Sequence, residues 1–112
     1  MKLGALGDVH GDFVSVRAIM QRHPDVECWV SVGDLADAQG RYESPPAPLY
    51  WIKGNNDNLE FVAALLSGRR EPLPNLHYIP NGMATKIGPI MVGGLGGTLA
   101  PSWYDKPPAE IP

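Results

Sequence analysis

The sequence predicts an α/β fold, a mostly parallel sheet carried on helices that leads into a second, incomplete sheet. Short apolar runs end three times in glycine-flanked polar clusters, Gly7-Asp8-Val9-His10-Gly11, Gly33-Asp34-Leu35-Ala36-Asp37 and Gly54-Asn55-Asn56-Asp57. Helical periodicity follows the first and third of them. In open parallel sheets, ligand-binding side chains gather beyond the carboxyl ends of the strands, so clusters far apart in sequence converge on one crevice. After Leu73 the pattern changes: the turn-forming pairs Asn81-Gly82 and Gly88-Pro89 divide short strand-like runs, which reads as a meander.

Taken in order, a strand is predicted over 3–6, and Asp12 then stands as the N-cap of a helix over 13–22. Val14, Ala18 and Ile19, with Val16 and Met20 beside them, form its apolar side, and Pro24 stops it. Strands follow over 28–32 and 49–53. Between these two strands, the segment 38–48 carries Ser44-Pro45-Pro46-Ala47-Pro48, too rich in proline for periodic structure, and reads as a surface loop in which Arg41 and Tyr42 are solvated. A second helix is predicted over 57–66, with Leu59, Val62, Ala63 and Leu66 on one face and Gly68 closing it. The later strands fall at 76–80, 83–87 and 90–92. The run Gly93-Gly94-Leu95-Gly96-Gly97-Thr98 lacks the Lys-Ser/Thr ending of a P-loop and does not fit G-x-G-x-x-G, which argues against a nucleotide-binding loop. Residues 100–112 are proline-rich and read as an irregular tail.

Composition fits one domain over residues 1–112. A chain of 112 residues with 44% hydrophobic side chains is long enough for one core. A net charge of −3 without a Lys/Arg block argues against a nonspecific nucleic-acid binder, and the pair Arg69-Arg70 reads as solvated loop. Cys28 is the single cysteine, so no intramolecular disulfide can form, and its apolar strand setting predicts a buried thiol. The sequence shows neither a signal peptide nor a transmembrane span, which makes the cytoplasm the expected location and excludes a membrane partner.

The polar clusters offer two carboxylates, Asp8 and Asp34, one imidazole, His10, and one amide oxygen, Asn55. That hard oxygen and nitrogen set, without thiolate, suits Mn, Fe, Zn or Mg. The remaining histidines have plainer readings. His77 lies in a short strand-like stretch as a surface or structural residue, and His23 ends the first helix, where the helix dipole favours a basic side chain. Asp37 is expected to hydrogen-bond backbone in the turn after Asp34. Asp57 is expected either to orient Asn56 or to cap the second helix.

The order D-x-H-G, G-D-x-x-D, G-N-x-D resembles the calcineurin-like metallophosphoesterase superfamily, whose signature is G-D-x-H-G, G-D-x-x-D and G-N-H-D/E. The resemblance implies a metallophosphoesterase-like β-sandwich flanked by helices, and two divalent metal ions. Asp8 and His10 would then be ligands of the first ion, Asp34 the carboxylate bridging both, and Asn55 a ligand of the second. The implied activity is hydrolysis of a phosphate ester, monoester or diester, by a metal-bridged hydroxide. Asn56 stands at the family's catalytic histidine position, and an amide cannot act as a general acid near neutral pH. Activity should therefore favour esters with good leaving groups, such as aryl phosphates.

The family's later histidines, an isolated His and a G-H-x-H, have no counterpart here, so the resemblance covers about the first half of that fold. Water, substrate, or a partner chain or oligomer would complete the second ion's shell, and a chain truncated at its C-terminus is one expectation. The alternative is a non-catalytic metallophosphoesterase-like scaffold or protein-binding module.

Overall fold

The computed structural model describes residues 1–54 and 57–94; Asn55, Asn56, the glycine run beyond Gly94 and the tail 100–112 lie outside the described residues. The elements run β1 Leu3–Gly7, α1 Phe13–Arg22, β2 Cys28–Val32, β3 Leu49–Ile52, α2 Leu59–Leu66, β4 Leu76–Tyr78, β5 Ala84–Ile87 and β6 Ile90–Gly93. β1 to β4 form one four-stranded sheet in sequential order, and β5 and β6 a separate two-stranded one.

All pairings in the larger sheet are parallel. Here the structure corrects the sequence reading, because β4 is no part of a meander. Its residues Leu76, His77 and Tyr78 pair with Leu49, Tyr50 and Trp51 of β3, so α2 serves as a β-α-β crossover. Among the described strands, β5 and β6 alone pair antiparallel, joined at Gly88-Pro89. A three-residue strand carries too few positions for periodicity to separate these two pairings.

Register sorts the sheet into two unlike faces. Gly4, Trp29, Leu49 and Leu76 make one row, and Leu6, Ser31, Trp51 and Tyr78 the next. Trp29, Leu49, Trp51 and Leu76 from these rows join Phe13, Val16 and Met20 of α1 and Phe61 and Val62 of α2 in the core cluster. The alternate rows, Leu3 and Cys28, then Ala5, Val30, Tyr50 and His77, then Gly7, Val32 and Ile52, face the other way and are exposed or half-buried. Cys28 is thus half-buried rather than buried. The β5–β6 hairpin touches this second side at its ends, with Gly88 against the Met1 thioether and Gly94 against the Ile52 side chain.

Both helices start where local chemistry puts them. Asp12 Oδ1 accepts from Ser15 N at 3.1 Å, closing an orphan donor of α1, and the Ser15 hydroxyl and backbone hold the Asp12 carboxyl below the usual carboxylate range. The N-cap of α2 is Asn58, which accepts from Phe61 N at 3.1 Å, so the predicted start at 57 is two residues early. Gly68, in the left-handed region at φ +75°, closes α2 as expected.

The buried helix faces match the predicted ones only in part, at Val16 and Met20 of α1 and Val62 of α2. In α1, Phe13, Val16 and Met20 go inward, while Val14 is 73% exposed and Ala18 is exposed. In α2, Phe61 and Val62 go inward, while Leu59, Ala63 and Leu66 are exposed. α2 is apolar nearly all round, and such a helix leaves its inward face to be chosen by its neighbours. Tyr42 makes that choice, stacking on Phe61 with ring centroids 4.4 Å apart.

The segment 38–48 has neither helix nor strand, as predicted, and Arg41 is exposed there, but Tyr42 is buried instead of solvated. Leu35 and Ala36 of the preceding turn, Tyr42 and Pro45 are all buried. Their side chains cover the sheet where a crossover helix would otherwise lie. No described helix is long and apolar enough to cross a membrane.

Candidate metal centre

Three candidate ligands come together at the carboxyl ends of β1 and β2. Asp8 follows β1 directly, His10 lies two residues further on, and Asp34 follows Gly33 at the end of β2. One ligand atom of each lies within 4.8 Å of the others, and His10 Nε2 is 3.7 Å from Asp8 Oδ1. Asp8 and His10 are exposed and Asp34 half-buried, so a crevice open to solvent leads to a partly enclosed carboxylate.

The backbone explains how side chains on separate strands meet. Asp8, His10 and Asp34 all have left-handed φ, at +50°, +48° and +51°, and Asn75 is the one further non-glycine case among the described residues. Such conformations are uncommon outside glycine and concentrate at functional sites, where surrounding contacts hold them. The contacts here are hydrogen bonds between loops. His10 N donates to Asp34 O at 2.8 Å, Gly11 N to Leu35 O at 2.9 Å, and Gly33 N to Ile52 O at 3.1 Å. The loops after β1, β2 and β3 are therefore laced edge to edge.

Two glycines are required by close approach. A Cβ on Gly54 would overlap Asp34 Oδ1 and its backbone nitrogen, and one on Gly11, at φ +80°, would overlap Asp37. Gly54 thus shapes the Asp34 side of the crevice from the third cluster. Lacking a Cβ, glycine permits the close backbone approach that both positions require.

Asp57 does not cap the second helix, whose N-cap is Asn58, and the other expectation, a contact with Asn56, lies outside the described residues. It is 7% exposed, and its carboxylate accepts from Leu35 N at 2.9 Å, Ala36 N at 3.0 Å, Tyr42 Oη at 3.0 Å and Gly54 N at 2.6 Å. One buried carboxylate therefore clamps the loop carrying Asp34 to the loop carrying Gly54. Tyr42 Oη in turn accepts from Asn58 N at 3.1 Å. Burial, aided by the neighbouring Asp57 charge, pushes the Tyr42 phenol well above its ordinary value, so it stays a donor. Sequence reasoning missed both residues. The only signal was the acid that closes the third cluster, and a tyrosine in a proline-rich loop has no periodicity to mark it.

Asp37 behaves as expected. Its Oδ1 accepts from Gln39 N at 2.9 Å and Arg41 N at 2.8 Å, and its Oδ2 from Arg41 Nε at 3.0 Å. These bonds, the Arg41 backbone N–H first, hold its carboxyl below the usual range. His77 stays on β4, exposed and stacked on Tyr50 at 4.7 Å, outside the cluster. His23 is the exposed C-cap of α1. Asn55 and Asn56 lie outside the described residues.

No family model, curated protein or solved structure matches the chain. The chemistry of the donors therefore carries the reading. Two carboxylate oxygens and an imidazole nitrogen could hold one hard or borderline divalent cation. Donors around such an ion sit about 2.0–2.2 Å from it, so exposed Asp8 and His10 need only rotate toward Asp34 to close on it.

Proposed function

We propose that the chain is a metal-dependent phosphoester hydrolase of the calcineurin-like kind, acting on a phosphomonoester or phosphodiester in the crevice beyond β1, β2 and β3. The observation that carries this reading is the meeting of Asp8, His10 and Asp34, all held in left-handed backbone at the ends of adjacent parallel strands. Asp8 and His10 would hold a first ion, Asp34 would be shared, and Asn55 would serve a second. Divalent ions there would activate water and offset the charge that grows on the phosphoryl oxygens. The protein's part is to orient: Asp57 and the inter-loop hydrogen bonds fix where Asp34 sits relative to Asp8 and His10.

The test is calorimetric titration of the folded protein with Mn²⁺, beside Asp34→Ala, followed by hydrolysis of an aryl phosphate. Micromolar Mn²⁺ affinity lost in Asp34→Ala, with turnover dependent on the ion, is the expected result. A folded protein that takes up no Mn²⁺, or an Asp34→Ala variant with full activity, overturns the proposal.

A further inference from the structure

Arg70 stands apart from the metal-centre residues. The residue is exposed in a loop, as its sequence setting predicts, yet its guanidinium lies 4.5 Å above the Phe61 ring. Phe61 stacks on Tyr42 at 4.4 Å and Tyr42 on Trp51 at 4.9 Å, a continuous column from the core to this cation. Among the described residues Arg70 has no carboxylate within ion-pair distance. A guanidinium carried on an aromatic face is held in place while its N–H edge can still meet a planar anion.

The Arg70 head lines a pocket of about 520 Å³ between the 39–42 loop and α2. Gln39, Arg41 and Asn58 line it too, and Glu60 is the acidic residue among its described lining. Arg41 is braced by Asp37 Oδ2 at 3.0 Å and Gln39 Oε1 at 3.2 Å. Asp37, which holds Arg41, lines a smaller pocket with His10, so the 37–41 turn links the Arg70 pocket to the His10 side of the candidate metal centre. Below the pocket, Tyr42 bonds to Asp57, the carboxylate that holds the Asp34 loop.

We propose that this pocket recognises a second anionic group, carboxylate or phosphate, on the ligand handled at Asp8, His10 and Asp34. The substrate class is then a phosphoester with another negative charge on its non-reacting part. The link to that ligand rests on the hydrolase reading; the anion site itself does not. Arg70 supplies the principal charge, and Arg41 and the Gln39 and Asn58 amides supply further donors.

The experiment is an NMR titration of uniformly ¹⁵N-labelled, metal-free full chain with inorganic pyrophosphate, following Arg70 Nε and the amides of Gln39, Asn58 and Ala64. Saturable shifts confined to these groups are expected, about tenfold weaker in Arg70→Gln and unchanged in Asp34→Ala. Non-saturable shifts, or Arg70→Gln binding as the wild type does, overturn the site. A kinetic arm compares two aryl phosphates, one bearing a ring carboxylate. A lower KM for the carboxylated ester that disappears in Arg70→Gln supports the shared ligand, and equal KM values in both proteins overturn it. Pyrophosphate binding in a protein that hydrolyses neither ester leaves the pocket standing and removes the hydrolase reading.

Discussion

Tyr42 donates its phenolic hydrogen to Asp57 Oδ1 at 3.0 Å, joining the crossover after β2 to the turn after β3 inside the protein. Through Asp57 the same hydroxyl is one bond removed from Leu35 N and Ala36 N, the residues that follow Asp34. Asp57→Asn replaces a carboxylate that accepts four hydrogen bonds with an amide whose NH₂ end faces donors. A loss of about 2–4 kcal/mol in urea unfolding is expected, with weaker Mn²⁺ binding at temperatures where the variant stays folded. Wild-type stability would refute the clamp.

Alkaline pH should act through the same phenol. The Tyr42 pKa is raised from its ordinary 10.0 in the folded chain, chiefly by burial, so folding keeps a proton that the unfolded chain releases. Its contribution is complete below pH 10.0 and is lost as pH rises toward the folded value. Stability should fall above pH 10.0, and Tyr42→Phe should flatten that fall while lowering stability at neutral pH by about 1 kcal/mol. Tyr78, shifted the same way by burial, leaves a residual slope in the variant. Urea unfolding at a series of pH values reads both effects.

Gly54→Ala should damage the metal centre more than the fold. The added methyl overlaps the Asp34 carboxylate and must push it aside. Mn²⁺ affinity is expected to drop about 10- to 100-fold, the range seen when a supporting contact of a metal ligand is lost. Unchanged affinity by calorimetry would show that Asp34 does not set the site.

Ser31 offers the opposite outcome. Its hydroxyl is buried in the sheet face under the helices and has no hydrogen-bond partner among the described residues. Ser31→Ala removes an unpaired polar atom and should raise stability by about 1 kcal/mol, visible as a higher urea midpoint with an unchanged slope. A lower midpoint would mean that the hydroxyl has a partner.

The face of α1 can be tested by contrast. Met20→Ala should cost about 2–5 kcal/mol, because it empties a buried position, while Val14→Ala, at a residue 73% exposed, should stay within about 0.5 kcal/mol. Equal costs would place the apolar side where periodicity alone puts it.

Leaving-group dependence tests the amide at Asn56. Without a general acid, aryl phosphates should be hydrolysed far faster than alkyl phosphates, and Asn56→His should narrow the gap by raising the alkyl rate. General-acid catalysis contributes about 10²- to 10⁴-fold where it operates. Equal rates on both esters in the wild type would contradict this account.

What the sequence by itself determined follows from short-range chemistry. Asp12 before an amphipathic run, Pro24 after it, and Gly68 past α2 mark helix ends, since each acts within a few residues of itself. The apolar runs over 3–6, 28–32 and 49–53 marked β1, β2 and β3 to within a residue, and the polar clusters after β1 and β2 marked Asp8, His10 and Asp34 as a group that could converge. Tertiary structure alone decided which partner each element found. β4 pairs with β3 and not with β5, Phe61 and not Leu59 turns inward, and Asp57 serves the backbone of another loop instead of its own helix. Those outcomes depend on groups more than 12 residues away, such as Tyr42 against Phe61 at 4.4 Å, and local pattern holds no information about such distances.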